Sequence, residues 1–161
     1  MHIEEIYYIR ELIELSSLKF AFEEKNKKYF KRLLIFIKKI NNTERDQDFR
    51  KKFVQLDTGL HFSIVKSTKN KRLFTIYRRI FNIFLLINLR AHYNDQYYGR
   101  IYNHCTNLIQ AILDNDFNRS EIALKEHFKI SKDFLIKEYI NYKSKNNIGE
   151  KYSDSSVVSH K

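Results

Sequence analysis

Residues 53–64 read FVQLDTGLHFSI, and the fold follows from how this stretch is read. Phe53, Leu56, Leu60 and Ile64 recur at the three-to-four spacing of a helix with one face toward a core. Counted at about 100° per residue, Asp57 and His61 fall on that same face, one turn apart. An acid and an imidazole turned into an apolar interior need partners, because an unpaired buried charge is costly.

Outward from this segment the periodicity stays helical. A first helix is expected over about Ile3 to Glu24, with Ile6, Ile9, Ile13 and Leu18 as its stripe, and a second over about Lys27 to Ile40. Asn41-Asn42-Thr43 is a polar break before the third, about Glu44 to Lys66. Asn70 suits the N-cap of a fourth helix running to about His92, and Asn94 or Asp95 that of a fifth ending near Leu113. The turn Asp114-Asn115-Asp116 leads to a sixth, about Asn118 to Tyr142. With no proline and only three glycines in 161 residues, the turn residues of a sheet-rich fold are missing, so the expected class is all-α.

Composition narrows the function classes. Hydrophobic residues at 43%, including 13 Phe and 11 Tyr, exclude wholesale disorder. The single cysteine, Cys105, excludes an intrachain disulfide and suits a reducing compartment, hence a cytoplasmic protein. Glu4 and Glu5 interrupt any signal-peptide core, and Arg78-Arg79 interrupt the most apolar run, Leu73 to Leu89, so no membrane span is expected. The net charge of +11 invites a nucleic-acid reading. The basic residues are nevertheless spread over several helices with no phosphate loop or RNA-binding motif, which favours a solvated basic surface.

Two further histidines share the property of His61. On the fifth helix His104 lies about 300° from Ile101, within the apolar sector, and on the sixth His127 lies about 40° from Ala123. His2 and His160 are terminal, and His92 sits at the expected end of the fourth helix. Taken singly, a core histidine is ordinarily hydrogen-bonded, and Asp57–His61 suits an i, i+4 hydrogen-bonded pair. Taken together, Asp57, His61, His104 and His127 point to one divalent transition metal: Zn²⁺, Ni²⁺, Co²⁺, Mn²⁺ or Fe²⁺. One carboxylate leaves the ion a residual positive charge. A six-coordinate ion would keep two positions for water or an anionic oxygen donor.

These residues also carry a family likeness. Asp57-Thr-Gly-Leu-His61-Phe, with Asn70 nine residues after the histidine, resembles the Asp-x3-His…Asn pattern of FCD domains. FCD domains are the C-terminal effector-sensing domains of GntR/FadR-type transcriptional regulators. Asn103-His104 through Ile109-Gln110-Ala111-Ile112, then Asp116 and Ala123 to His127, resembles the family's closing signature, with the two histidines 23 apart. Ile6-Tyr-Tyr-Ile-Arg10-Glu-Leu-Ile-Glu14 is similar to its first helix, so the likeness runs from about Glu4 to Tyr142. Asn103 departs from the family's usual Glu, at a position that is not a ligand.

The resemblance implies an antiparallel bundle of six or seven helices around a central metal and ligand pocket. It implies one FCD-like effector-binding and dimerisation domain over 1–143, and 144–161 is expected to be a disordered tail. Asp57, His61, His104 and His127 match the ligand positions of the metal-binding branch. Arg10 is the candidate for an effector carboxylate, which a guanidinium pairs bidentately, with an ion pair to Glu14 as the alternative. Tyr77, Asn88 and Arg90 are within reach of the cavity on this reading. The implied protein is a sensor of a small organic acid, a homodimer and not an enzyme. It contacts DNA only through a winged-helix domain that this chain does not contain. Two other functions stay open: a metal-dependent enzyme, which lacks a recognisable general base, and a basic helical nucleic-acid-binding protein.

Overall fold

Six α-helices and one short 3-10 helix build the computed structural model, which describes residues 3–41, 47–88, 91 and 93–145. In chain order they are α1 (Ile3–Leu18), the 3-10 helix Lys19–Phe22, α2 (Glu24–Asn41), α3 (Gln47–Ser67), α4 (Lys71–Asn88), α5 (Asp95–Leu113) and α6 (Phe117–Lys145). No strand occurs among these residues.

Two helix starts, those of α4 and α5, are capped as the sequence predicts. Asn70 Oδ1 accepts from the Leu73 N–H at 3.0 Å, and Asn94 Oδ1 from the Tyr97 N–H at 2.8 Å. Asp116 Oδ1 does the same for α6, accepting from the Arg119 N–H at 2.9 Å. Asn115 takes a left-handed conformation, φ 62°, which asparagine tolerates better than most residues and which lets α6 fold back along α5.

Several boundaries differ from expectation: α2 begins at Glu24 rather than about Lys27, and α4 ends at Asn88 rather than about His92. The first helix ends at Leu18 and tightens into the 3-10 helix, after which Glu23 is extended at φ −63°, ψ 131°. Buried Asn26 ties this corner down, its amide donating to Phe20 O at 2.8 Å and Ser67 O at 3.4 Å. At the other end α6 continues to Lys145, so the first two residues of the expected tail 144–161 are helical. Residues 146–161 lie outside the described residues, as do Arg90 and His92.

α1 lies against α3, α4 and α6, while α5 packs on α6 and α2, and α2 on α3. Gly59 allows one close approach, since a Cβ there would stand 3.2 Å from Leu33 Cδ2 of α2. The interior is aromatic: Tyr77, Phe81 and Phe84 of α4 are fully buried, and Phe62 meets Phe81 edge-on at 4.8 Å.

α1 is turned differently from its expected stripe. Ile3, Tyr7, Arg10, Glu14, Ser17 and Leu18 face inward, whereas Ile9 is 40% exposed. Its inner face thus carries a charge pair into the bundle, and the reason lies in the partners that await it there.

Candidate metal centre

Glu14 is wholly buried, which costs several kcal/mol for a carboxylate without partners. It has three. The Tyr77 hydroxyl of α4 donates to Oε1 at 2.5 Å, Arg10 Nη2 approaches the same oxygen at 3.4 Å, and His61 Nδ1 donates to Oε2. Arg10 is itself buried, its guanidinium 3.9 Å from the Phe84 ring centroid in a cation–π contact. Burial opposes the charge on Glu14, but His61 and Arg10 outweigh it and hold its pKa below the usual range.

Glu14 fixes the tautomer of His61. With Nδ1–H committed to the carboxylate, Nε2 faces the other way, toward α6. There His61 Nε2 lies 3.0 Å from His127 Nε2 and 3.5 Å from Asp57 Oδ1, and His127 Nε2 lies 3.3 Å from Asp57 Oδ1. Three donor atoms from α3 and α6 therefore form a nearly equilateral triangle. Asp57 Oδ1 is buried yet has no hydrogen-bond partner.

The triangle has the dimensions of a coordination face. Ligand bonds of about 2.0–2.1 Å put neighbouring donors about 2.8–3.4 Å apart around an octahedral or tetrahedral ion. Two neutral imidazoles and a carboxylate are the chemistry of a borderline divalent cation. The Glu14–His61 contact supplies the second-sphere carboxylate that orients and strengthens a histidine ligand. By these tests Asp57, His61 and His127 fit a metal ion.

Without an ion the charges still balance locally. Burial disfavours the imidazolium of His61, but Glu14 and then Asp57 outweigh it and push its pKa up to about 9. Burial likewise opposes ionisation of Asp57, yet His61 and His127 hold its pKa well below the carboxylate range. At His127 burial prevails and lowers the pKa, so that ring stays neutral. The metal-free site thus holds Arg10⁺, Glu14⁻, His61⁺ and Asp57⁻.

Of the residues singled out in the sequence, Asp57, His61 and His127 come together and His104 does not join them. Its side chain is 20% exposed and its Nδ1 stands 3.7 Å from Glu126 Oε2. The inward sector of α5 is centred on Tyr98, Ile101, Cys105, Leu108 and Ile112, which leaves His104 on its flank. The α5 residue behind the cluster is the buried Cys105, whose Sγ is 4.0 Å from His127 Nδ1. Burial, then Asp57, keeps its thiol pKa well above the usual value, so it stands as a neutral neighbour of the imidazole. Arg10 pairs with Glu14, and its Nε has no partner.

Glu14, Tyr77 and Cys105 also shape the site, although Glu14 is read from the sequence only as an alternative partner of Arg10, Tyr77 only as within reach of the cavity, and Cys105 not as a site residue. Glu14 was visible as the i+4 neighbour of Arg10, and Cys105 as a member of the apolar series of α5. Nothing local announced that Glu14 would meet a histidine 47 residues away.

The FCD domain family model matches residues 5–129, which include every residue of this cluster. A solved structure of the metal-free FCD domain of a candidate transcriptional regulator superposes with a TM-score of 0.75 at 21% identity. The match covers 87% of this chain and 95% of that one, and at this identity the likeness is one of fold. No curated protein matches the chain in sequence.

Proposed function

Since the chain belongs to the FCD domain family, we propose that it is the effector-sensing and dimerisation domain of a cytoplasmic GntR/FadR-type regulator, responding to a small carboxylate with the help of a divalent metal. The observation that carries this reading is the donor triangle of Asp57 Oδ1, His61 Nε2 and His127 Nε2, with an orphaned carboxylate oxygen at one corner. Asp57 also forms part of the wall of a cavity between α3, α4 and α5.

Three donors, rather than the four read from the sequence, hold the ion in this reading. When bound, the ion supplies a Lewis-acidic charge for an anionic oxygen. The chain's own residues do the rest. Glu14 holds His61 in the ligating tautomer, Tyr77 and Arg10 hold Glu14, and the ring of Phe81 closes the dry side at 6.0 Å from His61. Because the site joins α1, α3, α4 and α6, a ligand that favours one arrangement of these helices shifts the population between them. The shift can be no larger than the ligand's differential affinity for the two states. Exposed apolar residues on the adjacent helices α1 and α4, among them Tyr8, Leu12, Ile83 and Leu86, support a dimer. No helix among the described residues is long and apolar enough to cross a membrane.

Elemental analysis of the purified protein, then calorimetry with small acids before and after chelation, tests the reading. One equivalent of a transition metal and chelator-sensitive acid binding are expected. Metal-free protein that takes up no Zn²⁺, Ni²⁺, Co²⁺, Mn²⁺ or Fe²⁺ defeats it.

A further inference from the structure

Beside the donor triangle lies a cavity of about 70 Å³, walled by Phe53, Asp57, Leu85, Asn88, Tyr93 and Tyr97 among others. Its lining is mostly apolar, yet it collects unmet polar atoms. Among the described residues five buried side-chain atoms lack a hydrogen-bond partner, and three of them, Asp57 Oδ1, Asn88 Oδ1 and Tyr93 Oη, belong to residues of this wall. Buried polar groups are rarely left unpaired, and such a concentration calls for an occupant.

The volume bounds that occupant. One water needs about 10–15 Å³ by the same measure, so the space admits about five to seven non-hydrogen atoms. The chemistry of the wall bounds it further. Asp57 belongs to the metal triangle, and an ion held there would meet one anionic end of the occupant. Asn88 Oδ1 needs a donor, and Tyr93 Oη can both donate and accept. A single hydroxyl answers both, donating to Asn88 and accepting from Tyr93. Burial raises the pKa of Tyr93, so its phenol remains a donor. Malate, a four-carbon dicarboxylate of nine non-hydrogen atoms, exceeds this space.

We infer that the cavity selects a two- or three-carbon monocarboxylate carrying one hydroxyl, with Asn88 and Tyr93 as its specificity-determining residues. This rests on the metal-assisted sensing proposed above and narrows its ligand. Tyr93 lies in the link between α4 and α5, so the occupant would be held by both helices.

The test is calorimetry on the full chain loaded with Zn²⁺, using lactate, propionate and malate as probes. Propionate lacks only the hydroxyl, and malate adds a second carboxylate. Lactate is expected to bind at least tenfold more tightly than either, because a site built to hydrogen-bond a hydroxyl rejects the analogue without it. Tyr93→Phe and Asn88→Leu should each bring lactate down to the propionate level. Metal content should stay unchanged and propionate affinity should not fall, since the variants lack the polar groups that propionate leaves unpaired, and this also shows that the variants are folded. Equal binding of lactate and propionate by the parent protein, or full discrimination in both variants, overturns the inference and assigns the two polar groups to water. Tighter binding of malate overturns it too. Failure of every acid to bind the zinc-loaded protein would overturn the sensing reading itself, and this inference with it.

Discussion

Replacing Glu14 by Ala removes the group on which both the fold and the site depend. The change strips Arg10 of its carboxylate while leaving the guanidinium 1% exposed, and leaves the Tyr77 hydroxyl and His61 Nδ1 without their acceptor. Removing one partner of a buried ion pair costs about 3–5 kcal/mol. The cation–π contact of Arg10 with Phe84 at 3.9 Å persists and recovers about 1–2 kcal/mol at most. The two orphaned hydrogen bonds add about 1 kcal/mol each. A net loss of about 3–6 kcal/mol is therefore expected in urea unfolding of the metal-free protein. Against a typical domain stability of about 5–15 kcal/mol this is large but survivable. Because Glu14 also orients His61, zinc affinity should fall about 10–100-fold in competition with a chromogenic chelator. Glu14→Gln keeps one acceptor oxygen but turns the other into an N–H₂ donor and removes the charge, so it should lie between the two proteins in both measurements. A loss of stability below about 1 kcal/mol for the Ala variant, with zinc affinity within threefold of the parent, would refute the assignment of Glu14 as the keystone of the cluster.

Three other outcomes are expected. His127→Ala should abolish stoichiometric metal uptake and the rise in melting temperature that metal confers, while His104→Ala should retain uptake within threefold, both read by elemental analysis and thermal melts. The metal-free protein should lose stability at alkaline pH. His61 has a folded pKa raised from 6.5 to about 9, so its contribution, up to about 3 kcal/mol, is fully present below pH 6.5 and fades as the pH rises through 9. Glu14 and Asp57 have lowered pKa values, so their contribution is present at neutral pH and is lost only as acid protonates them. Denaturant melts from pH 5 to 10 check this, and a flat profile above pH 7 would contradict it. Leu86→Glu places a charge on an apolar residue of α4 that is 65% exposed. It should convert a dimer to a monomer in light scattering at low micromolar concentration without lowering monomer stability by more than about 0.5 kcal/mol.

Local physics settled much of this protein in advance. An all-helical fold follows from a chain without proline and with glycine at three positions, and the caps at Asn70 and Asn94 follow from side chains that reach backbone N–H groups three residues on. Asp57 and His61 share a face because they are one turn apart on one helix, and His127 faces inward because Leu124, Phe128 and Leu135 around it are buried. The resemblance to FCD domains rested on the same short-range spacings.

What those spacings did not decide is how each helix turns about its axis once several helices compete for one interior. Ile9 gave up its inward place on α1 to Arg10 and Glu14, because two charges satisfying each other, a tyrosine and a histidine are cheaper inside than the same charges unpaired. On α5 a rotation of one residue separates Cys105 from His104, and only packing against α2 and α6 chose the thiol for the inner face. Hydrophobic periodicity tolerates errors of this size, since burial is non-directional and a stripe spans over 100°. Coordination and hydrogen bonding are directional, so the donor set and the pocket that adjoins it were fixed only when residues 47 and 66 positions apart met in three dimensions.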